Sequence, residues 1–134
     1  MNILNAQAPR VLSIFRIITG LLFLQHGTQK ILGFPASEMG QPPLASLMGV
    51  GGLLELVGGI LIILGLFTRP VAFILSGMMA YAYWGFHAPA GFMPILNGGE
   101  LAIMYCFAFL YFVFAGAGAW SLDASMKSRS AVTA

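Results

Sequence analysis

The sequence predicts an all-α protein, an integral membrane four-helix bundle with its N- and C-termini in the cytoplasm. Three observations lead to this prediction: the composition, the spacing of four apolar segments, and the distribution of the positive charges. Of the 134 residues, 59% are hydrophobic and only 7% are charged, and the mean hydropathy is +0.90. Because a soluble domain carries about a quarter charged residues, this chain lacks the polar side chains that a surface in water requires.

The apolar segments have the length of membrane-spanning helices, which need roughly 20 apolar residues. Four segments reach or approach that length, at residues 11–32, 44–67, 70–86 and 98–118. Stretches rich in glycine, proline and polar residues separate them. We therefore predict one four-helix transmembrane domain over residues 1–124, followed by a polar, flexible cytoplasmic tail at residues 125–134.

Each segment carries its own boundary signals. The first has a longer apolar run than a signal peptide and no small-x-small cleavage pattern, so we interpret it as a retained helix. Only "TRP" (residues 68–70) separates the second and third, which predicts an antiparallel hairpin with Pro70 in the first helical turn. Before the fourth, Asn97 followed three residues later by Glu100 predicts an N-cap with a capping box.

The positive charges predict the orientation. Four crossings place both termini and the 68–70 link on one side of the membrane. Four cations fall on that side, namely Arg10, Arg69, Lys127 and Arg129. Lys30 lies alone on the other side. The positive-inside rule then predicts a multi-pass membrane protein with cytoplasmic termini.

The composition also excludes some functions. The six Lys and Arg residues are scattered along the chain, and since nucleic-acid binding requires a basic patch, no nucleic-acid partner is expected. The lone cysteine, Cys106, allows neither an intrachain disulfide nor a CxxC redox pair. We interpret it as a packing residue.

Ionisable residues inside the spans predict a polar interior. An ionised side chain near the centre of a membrane helix costs about 2.5–3.5 kcal/mol, so such groups should face one another inside the bundle. Glu55 lies in the apolar run "GGLLELVGG" at residues 51–59. Helical side chains lean toward the N-terminus of their own helix, which predicts that Glu55 meets His26. Arg16 has two candidate partners, Asp123 and Glu55.

These groups predict a site in the outer half of the bundle, with one set of acid–base residues and one set of binding residues. The expected catalytic residues are His26, Lys30, Glu55 and Glu100. The expected binding residues are Trp84, His87, Asn97 and Tyr111. An apolar slot with aromatic faces, donors for carbonyl groups and a nearby carboxylate suits a quinone. Histidine and carboxylate ligands would also suit iron or zinc, but no HxxxH-type spacing occurs, so no metal is expected.

Structural roles are open for the same residues. Glu55 and Arg16 can form a buried polar lock that sets the helix register, and Glu100 can act only as a helix cap. His87 can anchor a helix end at the membrane interface.

Four stretches of the chain resemble the DoxX family of small four-helix bacterial inner-membrane proteins. They are "RIITGLLFLQHGTQKILGF", "GGLLELVGGILIILGLFTRP", "PILNGGELAIMYCFAFLY" and "GAGAWSLD", and the resemblance covers about residues 10–124. The motif positions are Arg16, His26, Gly27, Lys30, Glu55, Arg69, Asn97 and Glu100. The resemblance implies an oxidoreductase or redox-associated membrane subunit.

The function expected from the sequence is therefore a membrane subunit of a redox system, linked to the quinone pool. The chain has no CxxCH, GxGxxG or dithiol motif, so no covalently bound cofactor is expected. Electrons would have to come from a partner redox enzyme or a diffusible carrier, and a homo-oligomer is left open by the sequence. The alternative is a non-catalytic membrane scaffold or a small-solute carrier.

Overall fold

The computed structural model describes residues 2–132, and every regular element in that range is a helix. This confirms the all-α prediction. The α-helices are α1 (Ile3–Leu32), α2 (Leu47–Leu64), α3 (Thr68–Ala82), α4 (Pro94–Asn97), α5 (Glu100–Ala115) and α6 (Leu122–Val132). A π-helical turn at Tyr83–His87 and a 3₁₀ turn at Ala88–Ala90 continue α3.

Helices α1 and α2 begin at side-chain caps and end at glycines. Asn2 accepts a hydrogen bond from the Leu4 N–H, so α1 begins well before the predicted span. Ser46 caps α2 by accepting from the Gly49 N–H. Gly33 and Gly65, with φ of 69° and 64°, end the two helices in the left-handed conformation that glycine adopts without strain.

The four longer helices pack as two pairs. Helix α1 packs most extensively against α2, and α3 against α5, whereas contacts between the two pairs are sparser. Glycines bring α1 and α2 together: a Cβ added to Gly27 would lie 2.7 Å from the Leu56 Cα, and one added to Gly59 would lie 3.0 Å from the Leu24 Cα. The α1–α2 interface is therefore a contact between backbones, as small residues allow in membrane helices.

Two helices, α1 and α2, are long and apolar enough to cross a membrane, and α5 is apolar but shorter. The four crossings, the orientation of the termini and the division at residue 124 stay predictions. Helix α6 runs through most of the segment that we expected to be a flexible tail. Residue 1 and the tail's last two residues, 133–134, lie outside the described residues.

The predicted N-cap at Asn97 is wrong. Asn97 is the last residue of α4, and Gly99 precedes the first residue of α5. Gly98, with φ of 72°, reverses the chain between the two helices, and the Asn97 side chain accepts from the Gly99 N–H at 2.8 Å. Asn97 thus stabilises a turn between two helices.

Arg16 is fully buried and joins three parts of the chain. Its guanidinium donates to the carbonyls of Ile62 and Ile63 at the end of α2, and to those of Ala117 and Trp120 after α5. The distances are 2.6 Å to Ile63, 2.7 Å to Ala117 and 2.6 Å to Trp120. The last carbonyls of a helix have no intrahelical donor and carry partial negative charge, so they attract a buried cation.

Neither expected partner of Arg16 forms an ion pair with it within residues 2–132. The Asp123 carboxylate instead accepts from the N–H groups of Phe67 and Thr68, at 2.9 Å each, where α3 begins. Glu55 pairs with Lys30. Asp123 and Arg16 therefore both stabilise the end of the molecule where α2 ends and α3 begins, through hydrogen bonds with backbone groups.

Replacing Arg16 tests its role. In Arg16→Met, four carbonyls lose the guanidinium that donates to them, and we expect the free energy of unfolding to fall by at least about 3 kcal/mol. Denaturant titration of the purified protein in mild detergent measures this. The control is Arg10→Met on the same helix, because Arg10 is exposed and, among residues 2–132, its side chain bonds only Gln7. Equal losses in the two variants would contradict the assignment.

A methyl group at Gly27 tests the α1–α2 contact. Gly27→Ala places its Cβ against the backbone at Leu56, which cannot move aside as a flexible side chain can. We expect a loss of about 1–3 kcal/mol of unfolding free energy. In the control, Gly77→Ala, the Cβ meets nothing within 4 Å, and the change should be neutral or stabilising by up to about 1 kcal/mol.

Candidate functional site

An ion pair between Lys30 and Glu55 is the centre of the candidate site. The Lys30 Nζ lies 2.8 Å from the Glu55 Oε1, and the Glu55 side chain is only 6% exposed. Glu55 lies one turn after Gly52 on α2, and a Cβ added to Gly52 would lie 2.8 Å from the Lys30 Cβ. The glycine therefore lets the aliphatic part of Lys30 lie against α2 and directs its ammonium group to Glu55.

The predicted pair between His26 and Glu55 is wrong. Lys30 follows His26 by about one turn of α1, and its long side chain leans back toward the level of His26. It thereby takes the position at Glu55 that we expected His26 to hold. The His26 ring instead packs edge-on against Tyr105 of α5, with the ring centroids 6.0 Å apart.

A cavity of about 520 Å³ opens beside this ion pair. It lies between the two helix pairs, at the end where α1 and α3 finish and α2 and α5 begin. Its polar groups are the side chains of His26, Lys30, Glu55, Tyr81, His87 and Tyr105. Most of the remaining wall is apolar and includes Phe23, Leu54, Met78, Met79, Phe86 and Leu101. We call this the ion-pair cavity.

Glu55 has hydrogen-bonding capacity that the protein does not use. Its Oε1 accepts from Lys30, but its Oε2 is buried and accepts from no group within residues 2–132. A buried carboxylate oxygen without a donor is costly. The ion-pair cavity therefore places an acceptor beside the donors of Lys30, His26 and Tyr105, a set that can bind a molecule with both carbonyl and hydroxyl groups.

His87 lines the cavity, and Asn97 holds the segment behind it. The His87 Nδ1 lies 3.1 Å from the Asn97 carbonyl oxygen. The Asn97 side chain donates to the Gly91 carbonyl at 2.8 Å and so closes the loop that precedes α5. Asn97 itself is absent from the cavity wall, so it positions the expected binding residue His87 from outside.

Besides Asn97, three expected site residues do not reach the ion-pair cavity. Glu100 is exposed in the first turn of α5, where its side chain leans away from the helix body. Trp84 is 72% exposed and packs edge-on against Tyr83 in the π-helical turn. Tyr111 lies about 16 Å along α5 from Glu100, close to Phe15. Glu100 and Tyr111 share one face of α5, but a face extends the length of a helix, whereas a site occupies one depth.

Tyr105 is a residue of the site that we did not expect from the sequence. It belongs to the buried face of α5, formed by Ala102, Tyr105, Phe109 and Phe112. Their i, i+3, i+7, i+10 spacing is the signal that identifies this face. The face of α5 that contains Glu100 and Tyr111 is an alternative to this buried face. Because α5 is almost uniformly apolar, the sequence periodicity does not show which of the two faces is buried.

Among residues 2–132, no three His, Cys, Asp or Glu side chains come together as a metal site requires.

Comparisons with known proteins add relatives. A family model described as DoxX matches residues 11–88. An uncharacterized protein of Haemophilus influenzae is 50% identical over 132 residues, which cover 92% of this chain and 96% of the relative. The inner membrane protein YphA of Escherichia coli is 31% identical over 132 residues, covering 89% of this chain and 92% of YphA. An uncharacterized membrane protein of Mycobacterium tuberculosis is 26% identical over 146 residues, covering 96% and 89%. No solved structure matches the chain.

Removing one partner of the ion pair should cost more than removing both. Lys30→Met leaves the Glu55 carboxylate buried without its cation, and we expect a loss of about 3–5 kcal/mol of unfolding free energy. The double variant Lys30→Met/Glu55→Leu should recover much of that loss, because no uncompensated charge stays buried. Denaturant titration of the single and double variants measures the coupling. Lys127→Met, which removes an exposed cation, is the control, and strictly additive losses would show that the pair is not coupled.

Proposed function

Since the chain is a membrane protein that belongs to the DoxX family, we propose that it is a multi-pass protein of the bacterial inner membrane and the membrane subunit of a redox system. In this proposal it crosses the bilayer four times, through α1, α2, the helical run that begins with α3, and α5. Its ion-pair cavity binds the ring of a quinone.

The proposed topology is supported by helix length and charge. Although α3 ends at Ala82, the chain stays helical through Ala90, so this run is longer than α3 alone. Arg10, Arg69 and Lys127 belong to one end of the molecule, while Lys30 lies near the other. The positive-inside rule places the cation-rich end, with both termini, in the cytoplasm.

One observation carries the proposed ligand: Glu55 lines a mostly apolar cavity, one of its carboxylate oxygens accepts from the Lys30 ammonium group, and the other has no donor within residues 2–132. A quinone has an apolar ring and two carbonyl acceptors, and its reduced form has two hydroxyl donors. Lys30 and His26 would donate to the carbonyl oxygens. Glu55 would accept from the hydroxyls and exchange protons with them.

The proposed role of each residue follows from its position in the cavity wall. His26, Lys30 and Glu55 would act on the polar groups of the ring, and Tyr105 and His87 would contact its edge. Because the sequence holds no electron-carrying motif, a partner redox enzyme would exchange electrons with the bound quinone. Glu100, Trp84 and Tyr111 have no role in this proposal, because none of them lines the cavity.

Quinone binding is the direct test. We expect isothermal titration of the detergent-purified protein with decylubiquinone to give saturable binding. In Glu55→Gln, which removes the charge that holds the Lys30 ammonium group, affinity should fall by about tenfold or more. Glu100→Gln makes the same chemical change at an exposed position of the same end and should leave affinity unchanged.

Two results would contradict the proposal. Binding that is absent in the wild type, or equal in all three proteins, would favour the scaffold or small-solute carrier. Mild-detergent extraction from native membranes tests the partner separately, because a redox subunit should bring a redox enzyme with it.

A further inference from the structure

A second cavity lies at the opposite end of the molecule, where α3 begins and α6 follows α5. Its volume is about 870 Å³, and its wall contains Arg69, Lys127 and Thr68 together with apolar residues. We propose that this cavity binds the phosphodiester headgroup of an anionic phospholipid. The inference does not depend on the ion-pair cavity or on quinone binding.

Arg69 is held in a fixed orientation that leaves one edge of its guanidinium available. Its Nη1 donates to the carbonyls of Val113 and Phe114, at 2.6 Å and 2.7 Å, near the end of α5. The Nε–Nη2 edge makes no hydrogen bond within residues 2–132. That edge is the fork with which arginine binds phosphate through two parallel hydrogen bonds.

Gly116 keeps the space beside this edge open. A Cβ added there would lie 3.2 Å from the Arg69 Nη2 and 3.5 Å from its Cζ. The residue also has φ of 80°, a conformation that other residues rarely adopt. A glycine at this position therefore both turns the chain after α5 and avoids crowding the guanidinium.

Two further donors belong to the same cavity. The Thr68 Oγ1 is buried and has no hydrogen-bond partner within residues 2–132, and Thr68 itself is 1% exposed. Lys127, on α6, makes no ion pair in the described part of the chain. The one carboxylate in the wall, Asp123, is occupied by the N–H groups of Phe67 and Thr68. The charge available to a ligand is therefore positive.

The rest of the wall suits a lipid rather than a free anion. Leu12, Phe67, Pro70 and Tyr111 line the cavity beside the cations. Apolar side chains next to two cations at the end of membrane helices match a phosphate that is attached to acyl chains.

Lipid selectivity tests this inference on the full-length protein. In mixed micelles of neutral detergent, native mass spectrometry compares the binding of palmitoyl-oleoyl phosphatidylglycerol with that of the zwitterionic phosphatidylcholine. We expect phosphatidylglycerol to bind about threefold to tenfold more tightly. Arg69→Gln should abolish the preference, and Lys127→Gln should reduce it about twofold to threefold. Arg10 is a cation that does not line the cavity, so Arg10→Gln should leave the lipid preference unchanged.

Any of the following results would overturn the inference. Equal binding of the two lipids, or the same loss in Arg10→Gln as in the two cavity variants, would show only general attraction to the surface. Displacement of the lipid by millimolar inorganic phosphate would identify a site for a soluble anion. Because Arg69→Gln also loses two backbone contacts, an unchanged preference in Lys127→Gln, whose exposed side chain has no such contacts, overturns the inference even if Arg69→Gln misfolds.

Discussion

Lipid offers no hydrogen-bond partners, so an ionisable group buried inside a membrane protein has to find one in the protein itself. Arg16 donates to four backbone carbonyls. Of the two Glu55 carboxylate oxygens, one accepts from Lys30 and the other has no donor within residues 2–132. Both solutions connect α1 to α2. The helix pair is thus held by a cation near each end, and by glycine contacts between backbones along its length.

The same constraint distinguishes a buried charge whose partners are complete from one whose partners are not. Arg16 is fully buried, and the described part of the chain supplies its partners, so its chemistry is complete within the protein. Glu55 is nearly as buried, but one of its oxygens has no donor within residues 2–132. An incomplete polar group beside an open volume is where a ligand has something to add.

The all-α class, the membrane character and the burial of Arg16 and Glu55 are predictable, because they follow from composition and from the cost of charge in lipid. The partners are not. Whether Glu55 meets His26 or Lys30 depends on side-chain length and on the approach of α1 to Gly52, which is a tertiary contact.

The loop before α5 shows a second limit of the sequence. "NGGE" fits an N-cap, but two glycines allow a reversal that moves the helix start by two residues. Similarly, a uniformly apolar helix such as α5 has two plausible stripes, and only packing against α3 selects the one that contains Tyr105.

The sparse contact between the two helix pairs has a consequence for exchange of a ligand. The α1–α2 pair is locked by close backbone contact, so separating its members would break the tightest interface of the fold. The two pairs meet through side chains, among them Phe23 of α1 against Tyr105 and Phe109 of α5, and the ion-pair cavity lies at this boundary. In the proposed function, a quinone dissolved in the bilayer would therefore enter sideways between the pairs, because side chains can rotate aside where touching backbones cannot.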